Sequence, residues 1–125
     1  MRLLLDTHML IWMMENNPRL NARARRAIDE AAELFVSSAS IWEIAIKTQV
    51  KKLEVNLERL VLQMSVAGVA ELAVTHAHAL ATAQLPLLHR DPFDRLLVAQ
   101  AQAETMRLLT ADPRLAAYSE LVIAV

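Results

Sequence analysis

Short apolar runs alternate along this chain with longer stretches in which apolar side chains recur every three or four positions, as strands interleaved with amphipathic helices require. Arg2 to Leu5 is the first such run and Asp6 ends it. Met9 to Met14 then reads as the opening turns of a helix, broken by Asn16-Asn17-Pro18. Asn21 can cap a helix through about Glu33 with Ala24, Ala27, Ile28 and Ala31 on one side, and Leu34 to Val36 follows as a second strand. Ser37 or Ser38 caps a helix to about Val50, and Leu57 to Val66 is amphipathic through Leu57, Leu60, Val61 and Met64 until Gly68 ends it. Glu71 to Val74 predicts a third strand, and Thr75 caps an alanine-rich helix to about Gln84, stopped by Leu85-Pro86. Asp91-Pro92 starts a helix to about Thr105, because aspartate caps the first amides and proline tolerates the first helical position. Leu108 and Leu109 form a fourth strand, Asp112-Pro113 opens a short helix, and Leu121 to Val125 closes the chain as a fifth strand.

Strands this short and this apolar are buried on both faces, which implies parallel pairing through helical crossovers. The expected architecture is an α/β fold, and with no linker, repeat or low-complexity segment it forms one domain over residues 1–125. Composition narrows the picture further. At 55% hydrophobic, against roughly 45–50% for an ordinary soluble domain, the chain will form a real core. One glycine, four prolines and one tyrosine argue against sandwiches and barrels. The absence of cysteine removes disulfides, thiolate nucleophiles and Cys-ligated zinc, and suits a reducing, cytoplasmic setting. Asp6 and His8 interrupt what would otherwise resemble a signal peptide, and no run of about 18 apolar residues predicts a membrane span. A net charge of −1 leaves any nucleic-acid contact to local charge.

Four acids stand where acids are uncommon. Asp6 lies at the carboxyl end of the first predicted strand and Asp112 two residues past the fourth, where open parallel sheets bind ligands. Glu43 sits mid-helix between Trp42 and Ile44, on one stripe with Ser40 and Lys47. Asp94, one turn after Asp91, is held near the sheet end by a helix whose later turns are apolar. If Asp6, Glu43, Asp94 and Asp112 converge, their repulsion makes the cluster costly unless a hard cation such as Mg²⁺ or Mn²⁺ occupies it, and such an ion activates water against a phosphodiester. Each acid also has a plainer reading. Asp6, Asp91 and Asp112 are natural N-caps, Asp94 can complete a capping box with Asp91, and Lys47 can pair with Glu43.

The segments LLLDTHMLIW, SSASIWEIAIK, LPLLHRDPFDRLLVAQA and LLTADPRL, in that order, resemble the PIN-domain family of Mg²⁺/Mn²⁺-dependent ribonucleases, and VapC-type toxins of bacterial toxin–antitoxin pairs in particular. The resemblance implies a three-layer α/β/α sandwich around a five-stranded parallel sheet. It assigns Asp6, Glu43, Asp94 and Asp112 to the acidic quartet, Thr110 to a hydroxyl that helps orient the last acid, and Asp91 to an accessory acid. It further implies an RNA substrate, a cognate antitoxin and a homodimer, the last consistent with the apolar surplus. One departure is Lys51, where relatives often have glycine after the second-motif helix; a left-handed cap strains lysine by roughly 1 kcal/mol, which predicts a different helix ending. His76 and His78 point to different sides of a helix, His89 beside Arg90 reads as exposed loop chemistry, and His8 either orders Asp6 or packs. Arg19, Arg23, Arg25 and Arg26 read as a solvated helix face, with RNA or partner contact as the alternative, and Trp12, Met13 and Met14 as core or dimer interface. The competing functions are a PIN-like RNA- or protein-binding domain without catalysis and a phosphoacceptor domain, whose acid pair and late lysine find no counterpart here.

Overall fold

Side chains on a strand alternate between faces, so Leu3 and Leu5 must enter one core and Leu4 another, and all three are fully buried. A computed structural model describing residues 1–125 shows both cores. The elements run β1 (Arg2–Leu5), α1 (Thr7–Glu15), α2 (Ala22–Glu30), β2 (Glu33–Ser37), α3 (Ser38–Gln49), α4 (Leu57–Val66), β3 (Val69–Leu72), α5 (His76–Thr82), α6 (Pro92–Glu104), β4 (Arg107–Thr110), a 3-10 turn (Pro113–Ala117) and β5 (Val122–Ala124). The sheet has the order β3-β2-β1-β4-β5 with every pairing parallel, and Leu4 lies opposite both Phe35 and Leu108. Residues from α1, α2, α3 and α4, including Leu10, Ala24, Ile44 and Leu60, fill one core with Leu3 and Leu5. On the opposite face α6, through Leu97, Val98 and Ala101, packs with Leu4, Met106, Leu108 and Leu115, and α5 lies against α6. This is the expected three-layer α/β/α arrangement. No helix is long and apolar enough to cross a membrane.

Differences from the predicted boundaries have local causes. The third strand begins at Val69, two residues early, because Gly68 at φ +77° turns the chain directly into it. The second helix stops at Glu30, since Glu33 is drawn into β2 opposite Arg2. The first begins at Thr7 because Asp6 caps it. Lys51 corrects the expectation of an altered helix ending: it adopts φ +61°, its N–H donates to Thr48 O (3.1 Å), and Lys52 N–H donates to Lys47 O (2.8 Å). These two bonds close a Schellman turn, so lysine carries the strain and the turn survives without glycine. All four arginines of the basic run are exposed, and Arg25 is the one most tied to the fold, donating to the carbonyls of Leu20 and Asn17 and to the Asn16 side chain.

Candidate active site

The chain leaves β1 toward β2 and β3 on one side, while β4 and β5 lie on the other, so the edge shared by β1 and β4 is the point where strand order reverses. Crossovers diverge there and leave a crevice at the carboxyl ends. The Asp6 N–H, donating to Leu109 O at 3.1 Å, ties the two strand ends together. Asp6 and Asp112 flank that seam; α3, which leaves the neighbouring β2, contributes Glu43, and the first turn of α6 contributes Asp94. The resulting cleft, about 550 Å³, is lined by Asp6, Glu43, Asp91, Asp94 and Asp112 with Lys47, His89 and Arg114. All four acids of the proposed quartet, and the accessory Asp91, therefore meet in one place.

Their environments differ. Asp6 is 6% exposed and caps α1, its Oδ1 accepting from Met9 N–H at 2.8 Å. Burial pushes its carboxyl above the ordinary range, against the opposing pull of the Thr110 hydroxyl, the Met9 amide and His8; nearby Glu43 adds to the rise. Thr110 itself is fully buried and its hydroxyl accepts from the Asp112 amide at 3.0 Å, so it holds the backbone from which the last acid projects. Glu43 is buried with both oxygens engaged, Oε1 by the Thr7 hydroxyl at 2.6 Å and Oε2 by Lys47 Nζ at 2.8 Å. A mid-helix acid is thereby compensated by one partner on its own helix and one on α1.

Asp94 has no such compensation. Asp91 Oδ1 takes the amides of Phe93 (2.8 Å) and Asp94 (3.0 Å), so Asp91 alone caps α6 and the reciprocal bond of a capping box is missing, because the Asp91 amide donates instead to His89 Nδ1. No protein donor lies within hydrogen-bond distance of the Asp94 carboxylate, and the nearest basic nitrogen is His89 Nε2 at 3.7 Å. Burial first, then the charges of Asp91, Asp6 and Glu43, push Asp94 up to about 7, with His89 opposing. Asp112 is the opposite case: Arg114 gives it the backbone N–H and Nε on Oδ1 (3.0 Å each) and a terminal guanidinium N–H on Oδ2 (2.9 Å), and His89 adds a bond to Oδ2 at 3.0 Å. The Arg114 hydrogen bonds dominate and hold the carboxyl well below the usual carboxylate range.

His89 overturns its assignment to exposed loop chemistry. Its side chain is 7% exposed at the cleft, because Tyr118 and Arg95 bind the loop that carries it. The signal available in the sequence was its place two residues before the Asp91 cap, just outside a helix whose N-terminus faces the site. His8 is exposed at the cleft with its ring tilted against Trp12, and Trp12 packs on the core yet also lines the cleft. His76 is exposed, whereas His78 is buried in the capping box of α5 and bonded to Glu104, so the two point apart as expected.

The donor set is oxygen-rich and carries more negative charge than its own cations offset, with one carboxylate, Asp94, left without a hydrogen-bond donor. That chemistry fits a hard divalent cation held by Asp6, Asp94 and Asp112 with Glu43 beside them. It fits a structural cap poorly, since Asp94 caps nothing.

Comparison with known proteins places the chain in a family and a fold. The family profile described as PIN domain matches residues 3–121. "Ribonuclease VapC22" of Mycobacterium tuberculosis (strain ATCC 25618 / H37Rv) is 33% identical over 114 residues, covering 90% of this chain and 88% of that protein. Among solved structures, VapBC2 from Rickettsia felis bound to a DNA fragment from its promoter superposes with a TM-score of 0.71 at 16% identity, covering 100% of this chain and 98% of that one. A toxin–antitoxin complex from Klebsiella pneumoniae gives a TM-score of 0.67 at 18% identity, over 97% of this chain and 95% of that one. These two likenesses establish the fold.

Proposed function

This chain belongs to the PIN-domain family, and we propose that it is a divalent-metal-dependent endoribonuclease acting as the toxin of a toxin–antitoxin pair. The observation that carries the catalytic reading is Asp94, a carboxylate placed among other carboxylates with no protein donor of its own. Asp6, Asp94 and Asp112 would hold Mg²⁺ or Mn²⁺, with Glu43 completing the quartet and Asp91 supporting it. When bound, such an ion supplies a polarised water and offsets the charge that develops on a phosphodiester in hydrolysis. The chain's own residues set the stage. Asp6 uses one oxygen on the Met9 amide, which fixes its rotamer. Thr110 fixes the Asp112 backbone, and Lys47 with Thr7 fixes Glu43, so the positions of these acids are set before any ion arrives. No residue needs to form a covalent intermediate.

The antitoxin partner is supported by relatives solved as toxin–antitoxin complexes. Homodimerisation is supported by the exposed apolar stripe of Trp42 and Ile46 on α3 and Val50 at its end, with Val61, Leu62 and Val66 exposed on α4. Light scattering at tens of micromolar reads the dimer directly, and a strict monomer removes it. The nuclease reading is tested by incubating purified protein with RNA and Mn²⁺: cleavage is expected from the native chain and none from an Asp6→Asn/Asp94→Asn double variant. Native-rate cleavage by that variant, with contaminating ribonuclease excluded, overturns the assignment. A chain that binds RNA without cutting it under any divalent ion supports the binding-domain alternative instead.

A further inference from the structure

Two side chains grip Asp112, one a guanidinium and one an imidazole, and the grips differ in kind. Arg114 comes from two residues along the chain and its side chain is 72% exposed, bonded to nothing but Asp112. His89 comes from the far side of the cleft and is 7% exposed. Its loop is fastened: His89 N–H donates to the Tyr118 hydroxyl (2.8 Å), and the Arg95 guanidinium donates to Pro86 O (2.8 Å), Thr82 O (3.1 Å) and the same Tyr118 hydroxyl (3.0 Å). That network fixes the backbone that carries the His89 ring, and the ring itself is held on its other edge by the Asp91 N–H, whereas the Arg114 side chain has no second partner and is free to turn into solvent.

Hydrogen bonding also locates the proton on the ring. The Asp91 backbone N–H lies 3.0 Å from His89 Nδ1, and a backbone amide can only donate, so Nδ1 presents its lone pair and the ring proton sits on Nε2. Nε2 is the atom 3.0 Å from Asp112 Oδ2. Spacing alone would allow His89, Asp94 and Asp112 to form a three-donor cation site, since their ligand atoms lie within 4.8 Å of one another. Ligation through Nε2 would require its lone pair, moving the proton to Nδ1 and breaking the bond from Asp91.

We propose that His89 is a positioning residue that holds Asp112 through Nε2–H and does not ligate the metal, and that Arg114 is the exchangeable partner that must leave Asp112 when a divalent ion binds. This rests on the metal-dependent reading above. Its consequence is that two neighbours of one carboxylate act on metal affinity with opposite signs. Arg114 competes with the ion for the Asp112 oxygens. His89 orders the carboxylate and strengthens binding, as partners of metal-ligating groups do.

The test is Mn²⁺ binding to the full chain by titration calorimetry without RNA. His89→Ala is expected to weaken binding by about 10–100-fold. His89→Gln, whose side-chain amide donates at the same place, should stay within about threefold of the native chain, and Arg114→Ala should tighten binding severalfold. Nitrogen-15 spectra of the native chain should show the His89 proton on Nε2 before and after Mg²⁺ is added. If His89→Ala does not fold, the glutamine variant and the spectra still decide. Loss of the Nε2 proton on Mg²⁺ loading, a glutamine variant that binds ten-fold or more weakly, or weaker binding by Arg114→Ala each overturns the proposal. Absence of Mn²⁺ binding by the native chain overturns it together with the metal reading. Normal binding behaviour without RNA cleavage removes the nuclease reading and leaves this one standing.

Discussion

Helices at the cleft and helices away from it start with the same geometry and different charge. Away from the cleft, α2 and α4 begin at Asn21 and Asn56, whose side-chain oxygens accept from the amides of Ala24 (2.9 Å) and Arg59 (3.0 Å). At the cleft, α1 and α6 begin at Asp6 and Asp91, which accept from Met9 (2.8 Å) and Asp94 (3.0 Å). The bonds are equivalent, and asparagine caps about as well as aspartate. Capping therefore accounts for the position of all four residues and for the charge of none. The aspartates line one cleft with Glu43, Asp94 and Asp112, where burial and, after it, their mutual repulsion push Asp94 up to about 7. Charge beyond what capping requires, concentrated where it is unfavourable, is what separates a site from a set of helix starts.

Exchanging the two cap types probes that difference most strongly. Asp6→Asn retains a capping oxygen and should still lower RNA cleavage by two orders of magnitude or more, about the loss expected when one preorganised charge is removed from a catalytic centre. Asn56→Asp, the reverse exchange on α4, should leave cleavage unchanged. Equal losses in both would erase the distinction.

The next effect is a pH dependence in EDTA. Asp94 has a folded-state pKa raised from 3.8 to about 7. The folded state therefore keeps a proton that the unfolded chain releases, and stability falls as pH rises from about 4 to about 7 before levelling off. Asp94→Asn lacks this penalty. Its stability relative to the native chain should improve by about 2 kcal/mol between pH 5 and pH 8, read from thermal melts. A constant difference across that range would contradict the placement of Asp94 among uncompensated acids.

Metal should relieve the same strain. At ten times Kd, Mn²⁺ stabilises the native fold by about 1.4 kcal/mol, or roughly 3–6 °C in melting temperature for a domain of this size. Asp94→Asn should gain far less, while Asn21→Ala should gain as much as the native chain. That last variant also isolates plain capping, with a loss of about 1 kcal/mol that neither EDTA nor Mn²⁺ alters. The smallest change is Lys51→Gly at the far end of the helix carrying Glu43: relief of the left-handed strain should add several tenths to about 1 kcal/mol with cleavage unaffected. A drop in activity there would tie helix endings to the cleft.

Much of this contrast was legible along the chain. Alternation of apolar runs with helical spacing announced the strands and helices, and Asp-Pro pairs marked the starts of α6 and the 3-10 turn. Asp6 and Asp112 stand out because they follow strands, Glu43 because it lies mid-helix between Trp42 and Ile44. Other features left no local trace. His89 reads correctly as loop but wrongly as exposed, because the residues that fasten it, Arg95 and Tyr118, follow it by six and 29 positions. The Thr7 hydroxyl on Glu43 joins two helices 36 residues apart in sequence. Lys51 was expected to end its helix differently, yet the Schellman bonds together with packing outweigh a strain of roughly 1 kcal/mol.

What the sequence determined by itself were interactions reaching no farther than about a turn of helix or one strand: which face each element buries, where helices begin, and which acids are out of place. Tertiary structure alone decided that the sheet runs β3-β2-β1-β4-β5, and with it that the crevice opens between β1 and β4. Strand order follows from how two cores pack on opposite faces of one sheet, a property of contacts between distant segments. It is this order that carries Asp6 to Asp112 across more than a hundred residues, sets His89 against the latter, and turns a scatter of carboxylates into one cleft.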